Sequence, residues 1–424
     1  MIRYRFSSFI IYYMAFVMGC VAFCSKSYAQ SAIERIRPEY RPLAELFSTT
    51  PANEPTCGNN VHVIYTGLEK LDLLAVDMME AKDYIHMEYF EFFRDPGSRL
   101  VRLAMNLRAE DSLQVRYIVE DFMDIFKSPN YFGSMKRHGV EVGHYSIFRL
   151  NSRNHQKVVV IDGKIGYTGG MNIGDHYFYQ WRDTHLRLTG PCVKSLDSHF
   201  NEMWNSTGGK SKNDANPLEE KGIGEMSPTQ LTNADADPDY SSEGAVVQIV
   251  ADHPSEGHLI MNGYIWLLEN CKDYIMIHTP YFTPTREIRT ALRDAVERGV
   301  EVILVIPGKT DMAIVDPANR SFYKECLEAG ITLYETHGKF DHSKIFVCDD
   351  YICSVGSANL DGRSLKINHE INTYLYDEDL ASQIKERIMS RIGDADRVTM
   401  ETVNSWSAGK KLVNRLARII APQL

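Results

Sequence analysis

Two stretches of the sequence carry the same polar residues at the same spacing. Residues 153–172 read "RNHQKVVVIDGKIGYTGGMN" and residues 340–359 read "FDHSKIFVCDDYICSVGSAN", and both contain the pattern H-x-K-x4-D. The residues that fill the pattern are His155, Lys157 and Asp162 in the first copy and His342, Lys344 and Asp349 in the second. One copy alone would be a modest signal, but two copies with matching spacing indicate a catalytic site.

These residue types suit chemistry on a phosphodiester. A histidine and a lysine two residues apart on a strand point to the same face, so each pair can enter one cleft. Imidazole can attack phosphorus or carry a proton near neutral pH, and lysine stabilises negative charge on phosphate oxygens. We therefore expect one histidine to attack phosphorus and the other to protonate the leaving oxygen. No carboxylate cluster for a metal accompanies the motifs, so the expected reaction uses no metal or other cofactor.

Small and amide-bearing residues follow each motif at matching positions. Gly170 and Ser357 would let the backbone approach an anion closely, and the serine hydroxyl could add a donor. Asn172 and Asn359 would supply amide donors to phosphate oxygens. We therefore expect these four residues to bind or support the phosphate.

Carboxylates form the last part of the candidate site. Asp183 and Glu370 each follow the motif aspartate of their half by 21 residues, which suits an orienting partner for a catalytic histidine. The alternative is an ordinary surface ion pair. Asp162 and Asp349 could hold a turn or a histidine's geometry without touching substrate. Further candidates for the lining of the cleft are Trp181, His185 and His369.

The duplication extends over most of the chain. "AKDYIHMEYF" at residue 81 matches "CKDYIMIHTPYF" at residue 271, and the other matches keep an offset between 185 and 191 residues. Each half alternates apolar strands with amphipathic helices, which is typical of βαβ units and a largely parallel, helix-covered sheet. We predict an α/β protein with two homologous domains, residues 40–207 and 246–398, joined by a polar linker at 208–245.

The two ends of the chain predict contact with a membrane. In residues 1–29, Arg3 and Arg5 precede a long apolar run and small residues, as in a secretory signal peptide. An uncleaved membrane anchor and lipid attachment at Cys20 are the alternatives, and all three place the protein body across a membrane. Residues 399–424 predict a basic amphipathic helix, which could lie on an anionic membrane or dock on the second domain.

Charge and cysteine spacing disfavour other classes of protein. The formal net charge of −10 argues against a protein that holds long nucleic acid by neutralising phosphates. The cysteines beyond the N-terminal segment are scattered and include no C-x-x-C pair, so we expect buried thiols and no zinc site. Nothing in the sequence indicates the oligomeric state.

The motifs resemble those of the phospholipase D superfamily, in which two H-x-K-x4-D-x6-G-[GS]-x-N motifs meet at a pseudo-twofold axis. Segments such as "TPYFTP", "VIPGKTD" and "GSANLDGRSLKINHEIN" are similar to bacterial cardiolipin synthases, over roughly residues 60–207 and 246–424. The resemblance implies two phospholipase D-like α/β domains with mixed, mostly parallel sheets and one shared active site. Asp341 and His369 depart from it, because the family more often has apolar residues there.

The resemblance also implies a reaction. One histidine attacks the phosphate of phosphatidylglycerol and expels glycerol, which leaves a phosphatidyl-histidine intermediate. The hydroxyl of a second phosphatidylglycerol then attacks phosphorus to give cardiolipin. By analogy His155 is the nucleophile, and His342 is first the acid and then the base.

The implied setting is the bacterial inner membrane, with the catalytic domains on its periplasmic or outer face. The expected partners are phosphatidylglycerol and an anionic membrane surface, and not nucleic acid. The main alternative is a phospholipase D or another phosphatidyltransferase, in which water or a small alcohol is the acceptor. A phosphodiester nuclease and a non-catalytic lipid-binding protein are further alternatives.

Overall fold

The computed structural model describes residues 31–124, 130–145, 151–208, 244–255 and 257–421. The predicted signal or anchor at 1–29 and nearly all of the predicted linker at 208–245 lie outside these residues. Within them the chain forms two halves of alternating strands and helices.

The first half supplies seven strands of the main sheet. They are β1 (Thr56–Ile64), β2 (Tyr84–Tyr89), β3 (Gln114–Glu120), β4 (Glu141–Tyr145), β5 (Lys157–Ile161), β6 (Ile165–Gly169) and β7 (His185–Thr189). The helices of this part of the chain are α1 (Arg41–Phe47), α2 (Gly67–Glu80), α3 (Pro96–Glu110), α4 (Asp121–Asp124), α5 (Asn130–Arg137) and α6 (Cys192–Ser206).

The second half repeats this order with a few additions. Its strands are β8 (Ala245–Asp252), β9 (Tyr274–His278), β10 (Phe282–Thr283), β11 (Glu301–Pro307), β12 (Thr332–Thr336), β13 (Ile345–Cys348), β14 (Ile352–Gly356), β15 (Leu360–Asp361), β16 (Glu370–Tyr376) and β17 (Ala395–Val398). Its helices are α7 (Leu259–Asn270), α8 (Arg286–Glu297), α9 (Val315–Arg320), α10 (Tyr323–Glu328), α11 (Gly362–Lys366), α12 (Glu378–Ile392), α13 (Met400–Ser405) and α14 (Ala408–Ile420).

The strands join into one continuous sheet. Its order is β17-β12-β11-β9-β13-β14-β16-β8-β1-β7-β6-β5-β2-β3-β4 among the described residues, and only β10 and β15 pair separately. From the central β1–β8 pair outwards, the strands of the two halves follow equivalent orders. This arrangement confirms the predicted α/β fold class with two homologous halves.

The predicted predominance of parallel strands is wrong. Among the described residues, four neighbouring pairs of the large sheet are parallel, namely β2–β3, β3–β4, β9–β11 and β11–β12. The other neighbouring strands of this sheet are antiparallel. The main reason is the motif strand itself, since three residues connect β5 to β6 and β13 to β14. A connection this short can join only antiparallel strands, whereas a crossover helix is needed for parallel ones.

Helices cover both faces of the sheet. One apolar core runs across the junction of the halves, where α6 residues such as Leu196 and Phe200 and α12 residues such as Ile384 and Ile388 pack on the same sheet face. On the opposite face, α2 and α3 cover the first half and α7 and α8 cover the second. The shared core holds the two motif strands in a fixed relation.

The N-terminal segment packs on the second half of the chain. Ile36, Tyr40, Leu43 and Phe47 are buried in the same core as α7 and α8, and the ring of Phe47 lies 4.4 Å from that of Tyr374. The predicted start of the first domain at residue 40 therefore disagrees with the packing, since residues 36–47 belong with the second half. The sequence repeat begins in β1, so it gave no indication of where residues 36–47 would pack.

The motif aspartates lie in turns at the far end of the motif strands. The Asp162 carboxylate accepts hydrogen bonds from the backbone N–H groups of Lys82, Asp83 and Tyr84, at 2.7 to 2.9 Å. Asp349 accepts the same three bonds from residues 272–274, and both aspartates have positive φ, 55° and 50°. Six residues lie between each aspartate and its histidine, which is about 20 Å along an extended segment.

Replacing Asp162 by Ala should therefore reduce stability. The change removes the acceptor of three N–H groups and places Ala in a left-handed conformation, at a cost of about 2 kcal/mol. Asp162→Asn should cost less, because Asn keeps one acceptor and tolerates this backbone conformation. Denaturant unfolding measures both. Loss of activity at unchanged stability would contradict this structural role.

No helix in the described part of the chain is long and apolar enough to span a membrane. The six cysteines in this part have free thiols, and five of them are buried, in agreement with the expected buried thiols.

Candidate active site

The two motif histidines meet where the halves join. Each lies on a short segment that forms backbone hydrogen bonds with the opposite half. The N–H of His155 donates to the carbonyl of His369 at 2.9 Å, and the N–H of His342 donates to the carbonyl of Arg182 at 2.7 Å. These paired segments hold the ends of β5 and β13 together, so residues 187 positions apart share one site.

Each histidine is paired with a carboxylate from the other half. Nδ1 of His155 lies 2.9 Å from Oε2 and 3.0 Å from Oε1 of Glu370, and Nδ1 of His342 lies 2.9 Å from Oδ2 of Asp183. All four side chains are buried. A carboxylate at Nδ1 sets the ring orientation and directs Nε2 towards the chemistry.

The motif lysines are buried beside the histidines. Nζ of Lys157 donates to the carbonyl of His155 at 2.6 Å, and Nζ of Lys344 donates to the carbonyl of His342 at 2.7 Å. Burial lowers the pKa of Lys157 to about 7 and that of Lys344 to about 8. A bound anion would favour the charged form of both lysines, because it opposes the effect of burial.

The charge states of the histidines differ from those of free imidazole. Burial lowers the pKa of His155 to about 4, and burial together with Lys344 lowers the pKa of His342 well below its usual value. Both rings are therefore neutral at pH 7, which leaves a lone pair on each for attack or proton uptake.

The partner carboxylates differ from each other. Burial opposes ionisation of Glu370, but its contacts with His155 and Lys157 lower its pKa below the usual value. Burial raises the pKa of Asp183 to about 7, although Lys344 partly offsets this. Glu370 is thus ionised beside His155 near neutral pH, whereas Asp183 is only partly ionised.

The small residues of the motifs make room for these carboxylates. A Cβ on Gly170 would overlap the carboxylate of Asp183, so only Gly fits there. At the equivalent position, the Ser357 hydroxyl donates to Oε2 of Glu370 at 2.5 Å and accepts the N–H of Ile371 at 2.9 Å. The structure thus gives Gly170 and Ser357 a role in positioning the carboxylates, where the sequence suggested contact with an anion.

The motif asparagines bond mainly to neighbouring side chains. Nδ2 of Asn172 donates to the Tyr177 hydroxyl at 2.7 Å and to Glu91 at 3.3 Å. Nδ2 of Asn359 donates weakly to Ser364 at 3.4 Å. Both amides are buried, and the pairing of Asn172 with Tyr177 and Glu91 was not visible in the sequence.

Aromatic rings surround the two histidines unequally. His155 contacts Phe90, with ring centroids 4.8 Å apart. The rings within 6.2 Å of His342 are Tyr177, Trp181, Tyr281 and Phe340. Of these rings, the sequence analysis named only Trp181. The aromatic runs "YFEFF" and "TPYFTP", which contain Phe90 and Tyr281, could have indicated further aromatic residues at the site. His342 therefore has more aromatic neighbours than His155.

Residues behind the histidines break the symmetry of the halves. The Asn154 side chain donates to Glu88 at 2.9 Å, and burial raises the pKa of Glu88 to about 8. In the second half, the equivalent Asp341 forms an ion pair with Arg391 at 2.9 Å and lies 4.0 Å from His278. The unusual Asp341 is therefore an anion paired beneath His342.

Several predicted residues do not join the site. Asp162 and Asp349 lie in the distant turns, so their grouping with the catalytic residues is corrected. His185 is a core histidine, because it is fully buried and neither ring nitrogen has a hydrogen-bond partner among the described residues. His369 is buried against Tyr145 and His253. Within the described ranges, no group of three or more His, Cys, Asp or Glu residues could hold a metal ion.

Comparisons with solved structures show the fold. The phosphatidylserine synthase of Haemophilus influenzae superposes with a TM-score of 0.64 at 14% identity, covering 86% of this chain and 95% of that chain. The polyphosphate kinase of Porphyromonas gingivalis gives a TM-score of 0.53 at 16% identity, covering 86% of this chain and 53% of that chain.

Sequence comparisons show the family. Residues 74–204 and 264–392 match the family described as cardiolipin synthase, PLD-like domain. The major cardiolipin synthase ClsA of Bacillus subtilis is 34% identical over 384 residues, covering 86% of this chain and 76% of that protein. The cardiolipin synthase of Oceanobacillus iheyensis is 33% identical over 400 residues, covering 91% and 80%. The chain therefore belongs to the cardiolipin synthase family of the phospholipase D superfamily and is a phosphatidyltransferase.

Proposed function

We propose that the enzyme transfers a phosphatidyl group between two molecules of phosphatidylglycerol through a phosphatidyl-histidine intermediate. The observation that carries this proposal is the pair of buried, neutral imidazoles, each held at Nδ1 by a carboxylate from the opposite half. Two such groups on one phosphate suit a double displacement, in which one attacks phosphorus and the other moves protons.

In the first step, Nε2 of His155 attacks phosphorus and the bond from phosphorus to the glycerol oxygen breaks. The glycerol oxygen takes a proton from His342, whose pKa rises when the anionic phosphodiester enters the site. In the second step, His342 removes the proton from the terminal hydroxyl of a second phosphatidylglycerol. That oxygen bonds to phosphorus, the phosphorus–nitrogen bond breaks, and the product is cardiolipin.

The asymmetry of the carboxylates supports His155 as the nucleophile. Glu370 is ionised and receives the Ser357 hydroxyl, so it can stabilise positive charge that develops on the His155 ring. His342 lies beside Lys344, whose Nζ is 2.7 Å from its Nε2. This position suits the group that first releases and then takes up a proton. Lys344 lowers the pKa of His342, whereas the anionic substrate raises it, so the ring can change its protonation state during the reaction.

The buried cations stabilise charge on the transferring phosphoryl group. Lys157 and Lys344 bring two buried cations to one site. We infer that the buried amides of Asn172 and Asn359 add donors to phosphate oxygens when substrate is bound. This proposed stabilisation needs only side chains of the protein. The expectation of a reaction without metal or other cofactor stays a prediction.

The proposed location is the bacterial inner membrane, with the catalytic domains on its periplasmic or outer face. This rests on the charged and apolar residues of 1–29, whose placement lies outside the described residues, and on the bacterial relatives. Both substrates of the proposed reaction are anionic lipids, so the enzyme must work at an anionic membrane surface. We also propose the division into two domains predicted at 40–207 and 246–398, except that residues 36–47 pack with the second domain.

Lipid analysis tests the reaction. Purified protein is incubated with phosphatidylglycerol in detergent micelles and in vesicles, with a chelator present, and the lipids and free glycerol are resolved. Equal amounts of cardiolipin and glycerol are expected. Phosphatidic acid as the sole lipid product would overturn the proposal in favour of a phospholipase D, and a requirement for added metal would contradict the two-histidine mechanism.

Replacing Gly170 by Ala should lower turnover about a hundredfold. The new Cβ displaces the Asp183 carboxylate from Nδ1 of His342, and a misplaced catalytic group costs about that factor. Gly409, which lies on an exposed helix with only a distant neighbour, supplies the control variant Gly409→Ala. Cardiolipin formation at saturating substrate is the measurement. Unchanged turnover in Gly170→Ala would show that the Asp183 contact is dispensable.

A further inference from the structure

The last helix, α14, presents an apolar face that nothing in the described chain covers. Five residues at helical spacing form this face, and their exposed fractions are 57% for Leu412, 54% for Val413, 56% for Leu416, 74% for Ile419 and 41% for Ile420. A helix on a globular protein normally turns such residues towards the core. The exposed face therefore indicates a binding surface.

The opposite face fixes α14 to the second half. Asn414, Ala417 and Ala421 are buried, and Arg418 donates to the carbonyl of Ser321 at 3.0 Å and forms an ion pair with Glu325. The apolar face is thus exposed on a helix that is already docked. It is not the core face of a helix that has failed to pack.

A basic groove runs along one edge of this apolar face. It lies between α9–α10 and α13–α14 and has a volume of about 550 Å³. Five cationic residues line it, Arg320, Lys324, Lys411, Arg415 and Arg418, against two acidic ones, Glu325 and Glu328. Asn414 also lines the groove, and its buried Nδ2 has no hydrogen-bond partner within the described residues.

The positive charge of the groove is only partly neutralised. Arg320 pairs with Glu335, Arg418 with Glu325, and Lys324 with Glu328 at 3.5 Å. Lys411 donates only to a carbonyl, that of Asn404 at 2.7 Å, and Arg415 has no acidic partner in the part of the chain that the structure describes. These two free cations lie on the side of α14 that separates the groove from the apolar face. An anion in the groove would meet both cations and the unpaired Asn414 amide.

We propose that this surface is a docking site for an anionic phospholipid bilayer, distinct from the active site. The phosphate of a lipid headgroup occupies the groove, and the apolar face of α14 enters the interfacial region of the membrane. An apolar helix face with basic residues along its edge is the pattern that binds anionic membrane surfaces. Trp406 supports this placement, since it lines the groove beneath Lys410, whose Nζ is 4.6 Å from the ring, and tryptophan favours the membrane interface.

The inference goes beyond the proposed reaction, because it concerns membrane binding alone and holds whichever acceptor the active site uses. The full-length protein is therefore tested in its active form and as the inactive His155→Ala variant. Hydrogen–deuterium exchange of residues 408–420 is followed with vesicles of phosphatidylglycerol and phosphatidylcholine, and with vesicles of phosphatidylcholine alone. This local measurement reports on α14 even where the N-terminal segment holds the protein on the vesicles.

Slower exchange of α14 is expected only with the anionic vesicles, and in both forms of the protein. Lys411→Glu combined with Arg415→Glu should remove this protection, with vesicle affinity falling by at least roughly thirtyfold, because each lost basic residue contributes a factor of about five and the two new carboxylates add repulsion. Leu416→Asp combined with Ile419→Asp should do the same. The matched controls are Arg293→Glu and Met389→Asp, at exposed positions of α8 and α12. Every variant should keep its turnover in detergent micelles, except that His155→Ala stays inactive throughout.

Three results would overturn the proposal. The first is α14 exchange that anionic vesicles do not change. The second is equal protection by phosphatidylcholine alone, which would remove the role of the basic groove. The third is protection that appears without vesicles and rises with protein concentration, which would identify a second copy of the chain as the occupant. If cardiolipin formation fails but α14 is protected, the proposed reaction falls and the docking site stands.

Discussion

His155→Ala and His342→Ala should each lower cardiolipin formation by about a thousandfold or more. The first change removes the proposed nucleophile, and the second removes the group that moves protons in both steps. The two variants should differ in one respect. Protein lacking His342 can still form some phosphatidyl-histidine but cannot resolve it quickly, whereas protein lacking His155 forms none.

Protein denatured in detergent at mildly alkaline pH, after incubation with phosphatidylglycerol radiolabelled at phosphorus, shows this difference directly, because the phosphorus–nitrogen bond of a phosphohistidine is labile in acid. Label should stay on the His342→Ala variant and be absent from the His155→Ala variant. The opposite pattern would exchange the roles of the two histidines. His62→Ala and His337→Ala, at exposed positions, are the controls and should retain turnover. Substantial cardiolipin formation by either motif variant would refute the two-histidine mechanism.

Glu370→Gln should lower turnover by about a hundredfold to ten-thousandfold. Gln has nearly the same shape as Glu, but it cannot stabilise positive charge on the His155 ring, and its amide group can impose the wrong tautomer. As a positioning residue, Glu370 should affect the maximal rate more than the Michaelis constant. Its loss should also shift the acidic limb of the pH–rate profile, because the pKa of His155 depends on this contact.

Double variants test whether each carboxylate acts through the histidine of the opposite half. Glu370→Gln in a His155→Ala background should have little additional effect, because the partner of Glu370 is already gone. Asp183→Asn should show the same dependence on His342. Glu69→Gln, on the exposed side of α2, is the control for loss of a carboxylate. Equal effects of Glu370→Gln in the presence and absence of the His155 ring would contradict the pairing.

The membership of the site was largely readable from spacing, but its connections were not. Asp183 and Glu370 stand 21 residues after their motif aspartates in both halves, so spacing could not show which histidine each one contacts. The answer depends on how the segments at 153–155 and 340–342 cross between the halves, a contact between residues far apart in sequence. The motif spacing also grouped Asp162 and Asp349 with the catalytic residues, whereas strands of five and four residues place these aspartates at the far end of the motif strands.

The direction of strand pairing could not be predicted from the sequence for a similar reason. Alternating strands and helices indicated βαβ units, and four neighbouring pairs do follow that rule. The hairpins that contain the motifs and the contact between β1 and β8 made the rest of the sheet antiparallel. Residues 36–47 carry no repeat signal, so only packing could show that they complete the core of the second half.

Residue types and their spacing were enough to show that the protein has two equivalent α/β halves, that each half carries one motif histidine and one motif lysine, and which family the motifs resemble. These features depend on residue types and on their spacing over short stretches of the chain, so they can be read without knowing which distant residues come together. The three-dimensional structure was needed to show that each carboxylate holds the histidine of the other half and that the rings around His155 and His342 differ. Such features arise from contacts between distant residues and from burial, which changes the charge of a group according to what surrounds it.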